Sequence, residues 1–220
     1  MSAATKEPQA EATQMLKIYH VPGTRSVRPI WLAYELDLDF EIVPIDFSSA
    51  YRDSLEWRSI SPAGKVPALT DGDIAMFESG AMVEVILDRY GEGRLRPEKG
   101  TAESAEYLQW SWFAEATLSR PLGFMRAMKL VTAIKQGKEE VDAIAADGEK
   151  KARSSLEAVE QRLADRDYLL ASGFTAADIM AGYSLDLLSH LYALEESYPK
   201  TAAYLRRLKL RDAFKKAIAV

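Results

Sequence analysis

Three short segments of this 220-residue chain carry groups able to do chemistry. Thr24-Arg25-Ser26-Val27-Arg28 places two hydroxyls and two guanidinium groups close together. They are either helix caps, the common use of hydroxyls before a helix, or donors to a ligand at the carboxyl end of a strand, where open α/β sheets bind theirs. Val66-Pro67 falls in an apolar run that otherwise reads as a strand, and proline has no N–H to give to a ladder. That run is either a sheet edge or holds a cis bond that leaves the Val66 amide and carbonyl free to pair with an extended peptide ligand. Glu78-Ser79-Gly80 stands where a strand gives way to a helix. Ser79 is then an N-cap, worth about 1 kcal/mol, or part of an anion site in which free helix N–H groups and the positive dipole end face a carboxylate.

What is absent narrows the chemistry further. The chain has no cysteine, which removes disulfides, zinc ribbons, CxxC redox sites and cysteine nucleophiles, so any thiol used must be borrowed. Its two histidines, His20 and His190, are too few for a histidine-rich metal cluster, and no metal is expected. With 28 Lys and Arg against 33 Asp and Glu, the net charge of -5 argues against a nucleic-acid partner, which needs a basic surface. No stretch has the roughly 18 apolar residues of a membrane helix. Residues 1–14 are polar, without a signal or transit pattern, and read as a disordered tail on a cytoplasmic protein.

The elements that must position the three segments are legible in the periodicity. Leu16 and Ile18 alternate with Lys17 and Tyr19 as in a half-buried strand. Val27, Ile30, Trp31 and Tyr34 form a helical stripe, with Pro29 tolerated in the first turn. Phe40 to Ile45 reads as a second strand, parallel to the first because a helix joins them. A short helix is expected within 48–61. Residues 66–70 and 74–77 flank Asp71-Gly72-Asp73, a hairpin signal, and Ser79 to Tyr90 closes the unit as a helix.

Residues 92–101 have linker composition, and everything beyond reads helical. Tyr107, Trp110, Ala114 and Leu118 make one stripe while Leu108 and Trp112 make another, which predicts a helix central to a bundle. Leu156, Val159 and Leu163 mark a later helix. Thr175-Ala-Ala-Asp178, with Phe174 and Ile179 placed to staple it, opens the helix of Ile179, Tyr183, Leu187 and Leu191. His190 is expected to be structural, deep in that helix.

Taken together, the Pro22-Gly-Thr-Arg-Ser-Val-Arg28 turn, Trp31-Leu-Ala-Tyr-Glu-Leu36, Glu41-Ile-Val-Pro44, Ser61-Pro-Ala-Gly-Lys-Val-Pro-Ala-Leu69, Phe77-Glu-Ser-Gly-Ala81 and the box at Thr175 resemble the cytosolic glutathione S-transferases. The resemblance runs from about Leu16 to the C-terminus. It implies an α/β thioredoxin-like βαβ-ββα domain over 15–91, a linker over 92–101 and an all-α bundle over 102–220. It also implies glutathione as co-substrate. Val66, before a cis Pro67, would pair with the cysteinyl unit; Glu78 and Ser79 would hold the γ-glutamyl end; Lys65 would face the glycine carboxylate. Counting back four residues from Arg28, the serine of serine-type members corresponds to Thr24, with Ser26 as the second candidate; Tyr19 fits the tyrosine-type pattern poorly. Trp112, Phe113, Glu115, Arg120, Phe124, Met125 and Met128 are candidates for the electrophile pocket, each equally readable as core packing. The resemblance, with the apolar excess of the Tyr107–Leu118 helix, implies a homodimer.

The activity implied is conjugation of glutathione to small hydrophobic electrophiles. The same thiolate would also serve a dehalogenase, isomerase, lyase or peroxidase, and a non-catalytic binding or scaffold protein of this fold is the other alternative.

Overall fold

The computed structural model describes residues 15–121 and 138–220. The expected tail and Phe124, Met125 and Met128 lie outside them. Strand β1 (Leu16–His20) buries Leu16, Ile18 and His20 on one face and half-exposes Lys17 and Tyr19 on the other. Helix α1 (Val27–Glu35) returns to β2 (Phe40–Pro44), which pairs parallel with β1 from Leu16↔Phe40 to His20↔Pro44. The expected single helix that follows is two, α2 (Ser49–Arg52) and α3 (Leu55–Ile60), capped by the Ser48 and Ser54 hydroxyls. Strands β3 (Ala68–Asp71) and β4 (Ile74–Phe77) form the hairpin, turned at Gly72 with φ +64°. Helix α4 (Ser79–Tyr90) follows.

The sheet order is β2-β1-β3-β4, so β3 is an inner strand and the edge reading of Pro67 fails. Pro67 instead precedes the ladder, which begins at Ala68, and its bond to Val66 is cis.

Helix α5 (Ala102–Trp112) runs on into a π-helical segment, Phe113–Leu118. Then come α6 (Lys138–Arg162), α7 (Ala176–Ser189), α8 (Leu194–Ser197), α9 (Pro199–Lys209) and α10 (Asp212–Ile218). The central helix is α7 rather than α5. It is buried without a break from Ala176 to Leu185, whereas the second stripe of α5 faces outward, with Leu108 47% and Trp112 67% exposed. Nor is His190 deep in the bundle: it is exposed at the C-cap of α7.

The two layers meet at α1 and α7. A Cβ on Gly182 would lie 2.7 Å from Leu208 Cδ1 and 3.1 Å from the ring of Trp31, so the small residue allows the close approach. Trp31, fully buried, stands edge-on to Phe214 at 4.8 Å. Arg211 grips Glu35 through two bonds of 2.6 and 2.7 Å, fastening α10 to α1.

The start of α7 is fixed by Asp178, whose carboxylate accepts from the Thr175 amide at 2.7 Å, the Thr175 hydroxyl at 3.2 Å, the Leu169 amide at 2.9 Å and the Tyr204 hydroxyl at 2.8 Å. Burial pushes its pKa up, and these bonds oppose the shift. Removing the carboxylate leaves buried donors unpaired. Asp178→Ala should cost about 3 kcal/mol, a fall in Tm of about 6–12 °C for a chain of this size, read by thermal denaturation.

Candidate active site

Strand register brings the three singled-out segments to one end of the sheet. Tyr19 of β1 pairs with Ala68 of antiparallel β3, and Ala68 pairs with Phe77 of antiparallel β4. The turn after β1, the residues before β3 and the residues after β4 are therefore neighbours. They hold Thr24, Val66 and Glu78-Ser79 respectively. Among the described residues the Val66 amide and carbonyl have no hydrogen-bond partner, which leaves both for a strand-like ligand. The Lys65 side chain is exposed, while its backbone N–H and carbonyl are both tied to the Ser61 hydroxyl, at 3.1 and 2.8 Å.

At the β4–α4 junction the backbone turns sharply. Glu78 has φ +74° and ψ +106°, a sparsely populated conformation that costs on the order of 1–3 kcal/mol. Glu78 is the N-cap and its side chain makes no cap bond, so the reading of Ser79 as N-cap fails. The strain leaves the Glu78 carboxylate exposed beside the open N-terminus of a twelve-residue helix. A carboxylate next to free helix N–H groups suits an ammonium and a carboxylate carried on one carbon, as at an amino-acid terminus.

Ser79 itself is buried, and its Oγ accepts from Arg28 Nη1 at 3.1 Å. With its lone pair so engaged, the hydroxyl proton is free to be donated. Arg28 has no exposed surface, yet it is held from four sides. Nη1 also bonds the Glu115 carboxylate, and Nη2 donates to Ser119 and Ser184 at 3.0 Å each. Burial lowers the Arg28 pKa and Glu115 opposes that shift; guanidinium remains charged in proteins. Glu115 is shared with Arg25 at 2.9 Å.

The hydroxyl pair after β1 does not cap α1, whose N-cap Ser26 makes no side-chain cap bond. Thr24 Oγ1 lies 2.7 Å from the Val21 carbonyl, to which it donates, and 2.8 Å from Ser26 Oγ. Ser26 is fully buried whereas Thr24 is half-buried, so of the two only Thr24 meets the cleft. Tyr19 points from the opposite face of β1 and packs edge-on against Trp57 at 5.7 Å.

These features, an unpaired Val66 backbone beside a cis proline, an amino-acid-terminus cradle and a half-buried hydroxyl, accompany direct matches of sequence. The glutathione S-transferase N-terminal domain model matches residues 14–88 and its C-terminal domain model residues 142–207. The chain belongs to the glutathione S-transferase family. A glutathione S-transferase of Hyoscyamus muticus is 28% identical over 87% of this chain and 92% of its own. Glutathione S-transferase 3 of Zea mays is 28% identical over 93% of each chain. Among solved structures, a glutathione transferase of Phanerochaete chrysosporium with oxidized glutathione superposes with a TM-score of 0.82 at 23% identity, covering 94% of this chain and 95% of that one. The beta-etherase LigF of Sphingobium superposes with a TM-score of 0.79 at 25% identity, covering 94% and 99%.

Of the residues expected around the electrophile of such a transferase, the four that are described divide between two cavities. Trp112 and Glu115 border a space of about 310 Å³ with Glu78, Ala81, Leu108 and Met180. Phe113 and Arg120 border another of about 890 Å³ with Thr117, Ile144, Lys151 and Ser155, between the π-helical segment and α6. Phe113 also packs on Trp110 at 5.1 Å. Glu115 is occupied by two arginines, so its first task is to neutralise Arg28. Sequence reasoning placed Arg28 among the groups that could meet a ligand and counted from it to Thr24, but did not foresee its burial. The signal that could have found it was a cation at the second position of a helix whose residues from Val27 to Ala33 are otherwise apolar.

Proposed function

We propose that this family member binds glutathione across the ends of β1, β3 and β4, stabilises its thiolate with Thr24 and transfers it to small hydrophobic electrophiles. The observation that carries the reading is the convergence of the unpaired Val66 backbone, the Glu78–Ser79 junction and the Thr24 hydroxyl at one sheet end. In this reading Val66 pairs with the cysteinyl unit, Glu78 meets the γ-glutamyl ammonium and Ser79, through its amide and hydroxyl, meets the γ-glutamyl carboxylate. Exposed Lys65 faces the glycine carboxylate. Residues 15–91 are the glutathione-binding domain and 102–220 the domain that supplies the second pocket.

The physical demand on Thr24 is modest. A free cysteine thiol has a pKa of about 8.5 and only its thiolate is a strong nucleophile. Lowering that value by about 2 units takes roughly 2.7 kcal/mol of preferential thiolate stabilisation. One hydrogen bond to a charged acceptor supplies about 1.5–3 kcal/mol, and the N-terminus of α1 about 0.3–1 more. The thiol proton leaves to solvent. Sulfur then forms a bond to an electrophilic carbon, and a leaving group departs with the bonding pair, or the adduct takes up a proton where nothing leaves. No general base is required.

The outward stripe of α5, Leu108 and Trp112, supports a homodimer, since a face of this kind on a monomer is an interaction surface. Light scattering should give twice the 24.5 kDa chain mass, and Trp112→Glu should shift it toward the monomer.

Thr24→Val removes the donor while keeping shape. It should raise the bound thiol pKa by about 1–2 units and lower kcat near neutral pH about ten- to a hundredfold, with glutathione affinity little changed. Thr24→Ser should keep the activity. Unchanged rate and thiol pKa in Thr24→Val would remove Thr24 from the mechanism.

A further inference from the structure

Behind Thr24 lies a buried polar chain that the proposed chemistry does not yet use. His20, at the end of β1, is 3% exposed and its Nδ1 lies 2.8 Å from Ser26 Oγ. Ser26 Oγ lies 2.8 Å from Thr24 Oγ1. Nε2 of His20 is buried and, among the described residues, meets no acceptor in hydrogen-bond geometry. The three side chains thus run inward from the cleft to a closed end.

The direction of the protons follows from what each atom can do. A buried ring N–H without an acceptor is costly. The imidazole therefore carries its proton on Nδ1, where the Ser26 oxygen receives it, and leaves Nε2 bare. Burial, the larger influence on this ring, lowers its pKa, and a weaker approach of the Val220 backbone, short of hydrogen-bond geometry, opposes it only in part; the neutral form is thus favoured. Once Ser26 accepts from His20, its own proton goes outward to Thr24 Oγ1, or to the Val21 carbonyl at the longer distance of 3.3 Å. Thr24 in turn has two places for its proton, the Val21 carbonyl at 2.7 Å and the cleft. It is then the acceptor, not the donor, in its contact with Ser26. A chain of hydrogen bonds aligned in one sense also strengthens its last donor.

We infer that His20 is a positioning residue that, through Ser26, sets Thr24 as a hydrogen-bond donor toward the glutathione sulfur. This rests on the reading of Thr24 given above. Without the ring, Ser26 would offer its oxygen to Thr24, a second internal acceptor for the Thr24 proton beside the Val21 carbonyl.

The test compares wild type, His20→Leu, His20→Asn and Ser26→Ala. The readings are the ultraviolet absorbance of bound glutathione thiolate against pH, calorimetric glutathione affinity, and kcat and KM with an activated aryl chloride. His20→Leu and Ser26→Ala should each raise the bound thiol pKa by about half to one unit. They should also lower kcat near neutral pH about three- to tenfold and leave glutathione affinity and KM within about twofold. His20→Asn, whose amide N–H can take the place of Nδ1–H, should recover most of both losses; a merely space-filling role would not distinguish Asn from Leu in this way. A folded His20→Leu with the wild-type thiol pKa overturns the inference, as does a His20→Asn no better than Leu. If His20→Leu fails to fold, Ser26→Ala decides, because it breaks the middle link with the loss of one oxygen. A wild-type protein that binds glutathione without shifting its thiol overturns the Thr24 reading itself, a result separable from loss of effect in the variants alone.

Discussion

Everything at the ligand end of this molecule depends on burying one full positive charge. Arg28 sits on α1 with no exposed surface, a position that would cost several kcal/mol for an unpaired ion. The cost is offset only because three other elements converge on it: Ser79 from α4, Glu115 and Ser119 from the end of α5, and Ser184 from α7. Two of those elements belong to the helical layer. The charge therefore makes the helical domain part of the site of the α/β domain, since neither layer alone could satisfy the guanidinium. It also orders Ser79, whose oxygen accepts from Arg28 and whose proton is left to give.

That constraint was the least visible in the sequence. Local order was legible because it obeys short periods: the alternation at Leu16–Tyr19, the stripe Val27–Tyr34, the Asp-Gly turn and the Thr175–Asp178 box each state their geometry within a few residues, and the elements formed nearly where expected. The segments Thr24–Arg28, Val66-Pro67 and Glu78-Ser79 were legible as candidates for chemistry for the same reason, and the strand register brings them to one sheet end. Roles that depend on long-range packing were not. Leu108 and Trp112 suggested that α5 was central, but a stripe cannot say whether it meets protein or solvent; α7, with Gly182 admitting Trp31 and Leu208, took the inner place. Glu115 looked like a pocket residue because its partners, Arg25 and Arg28, lie nearly ninety residues away in the chain. Ser79 looked like a cap because nothing local foretold the positive φ at Glu78.

The site has a consistent division of labour. In the proposed reading, backbone groups at Val66 and at the Glu78–Ser79 junction recognise an extended peptide and an amino-acid terminus. Side-chain chemistry is confined to one half-buried hydroxyl. Such a site needs no cysteine and no base, which agrees with a chain that has none of the first. In the proposed reading the hydrophobic partner meets surfaces built by α5, whose π-helical segment carries Glu115 to Arg28 on one side and turns Phe113 and Thr117 toward α6 on the other.

The dependence of the site on the buried charge is tested most directly by calorimetric glutathione titration of Arg28→Met, with circular dichroism to verify the fold. Methionine fills much of the space, Ser119 and Ser184 still bond each other at 2.7 Å, and Glu115 retains Arg25, so the chain should fold. The account predicts glutathione affinity weakened about five- to tenfold, corresponding to about 1–1.4 kcal/mol of lost ordering at Ser79. A folded Arg28→Met protein that binds glutathione as tightly as the wild type would contradict it.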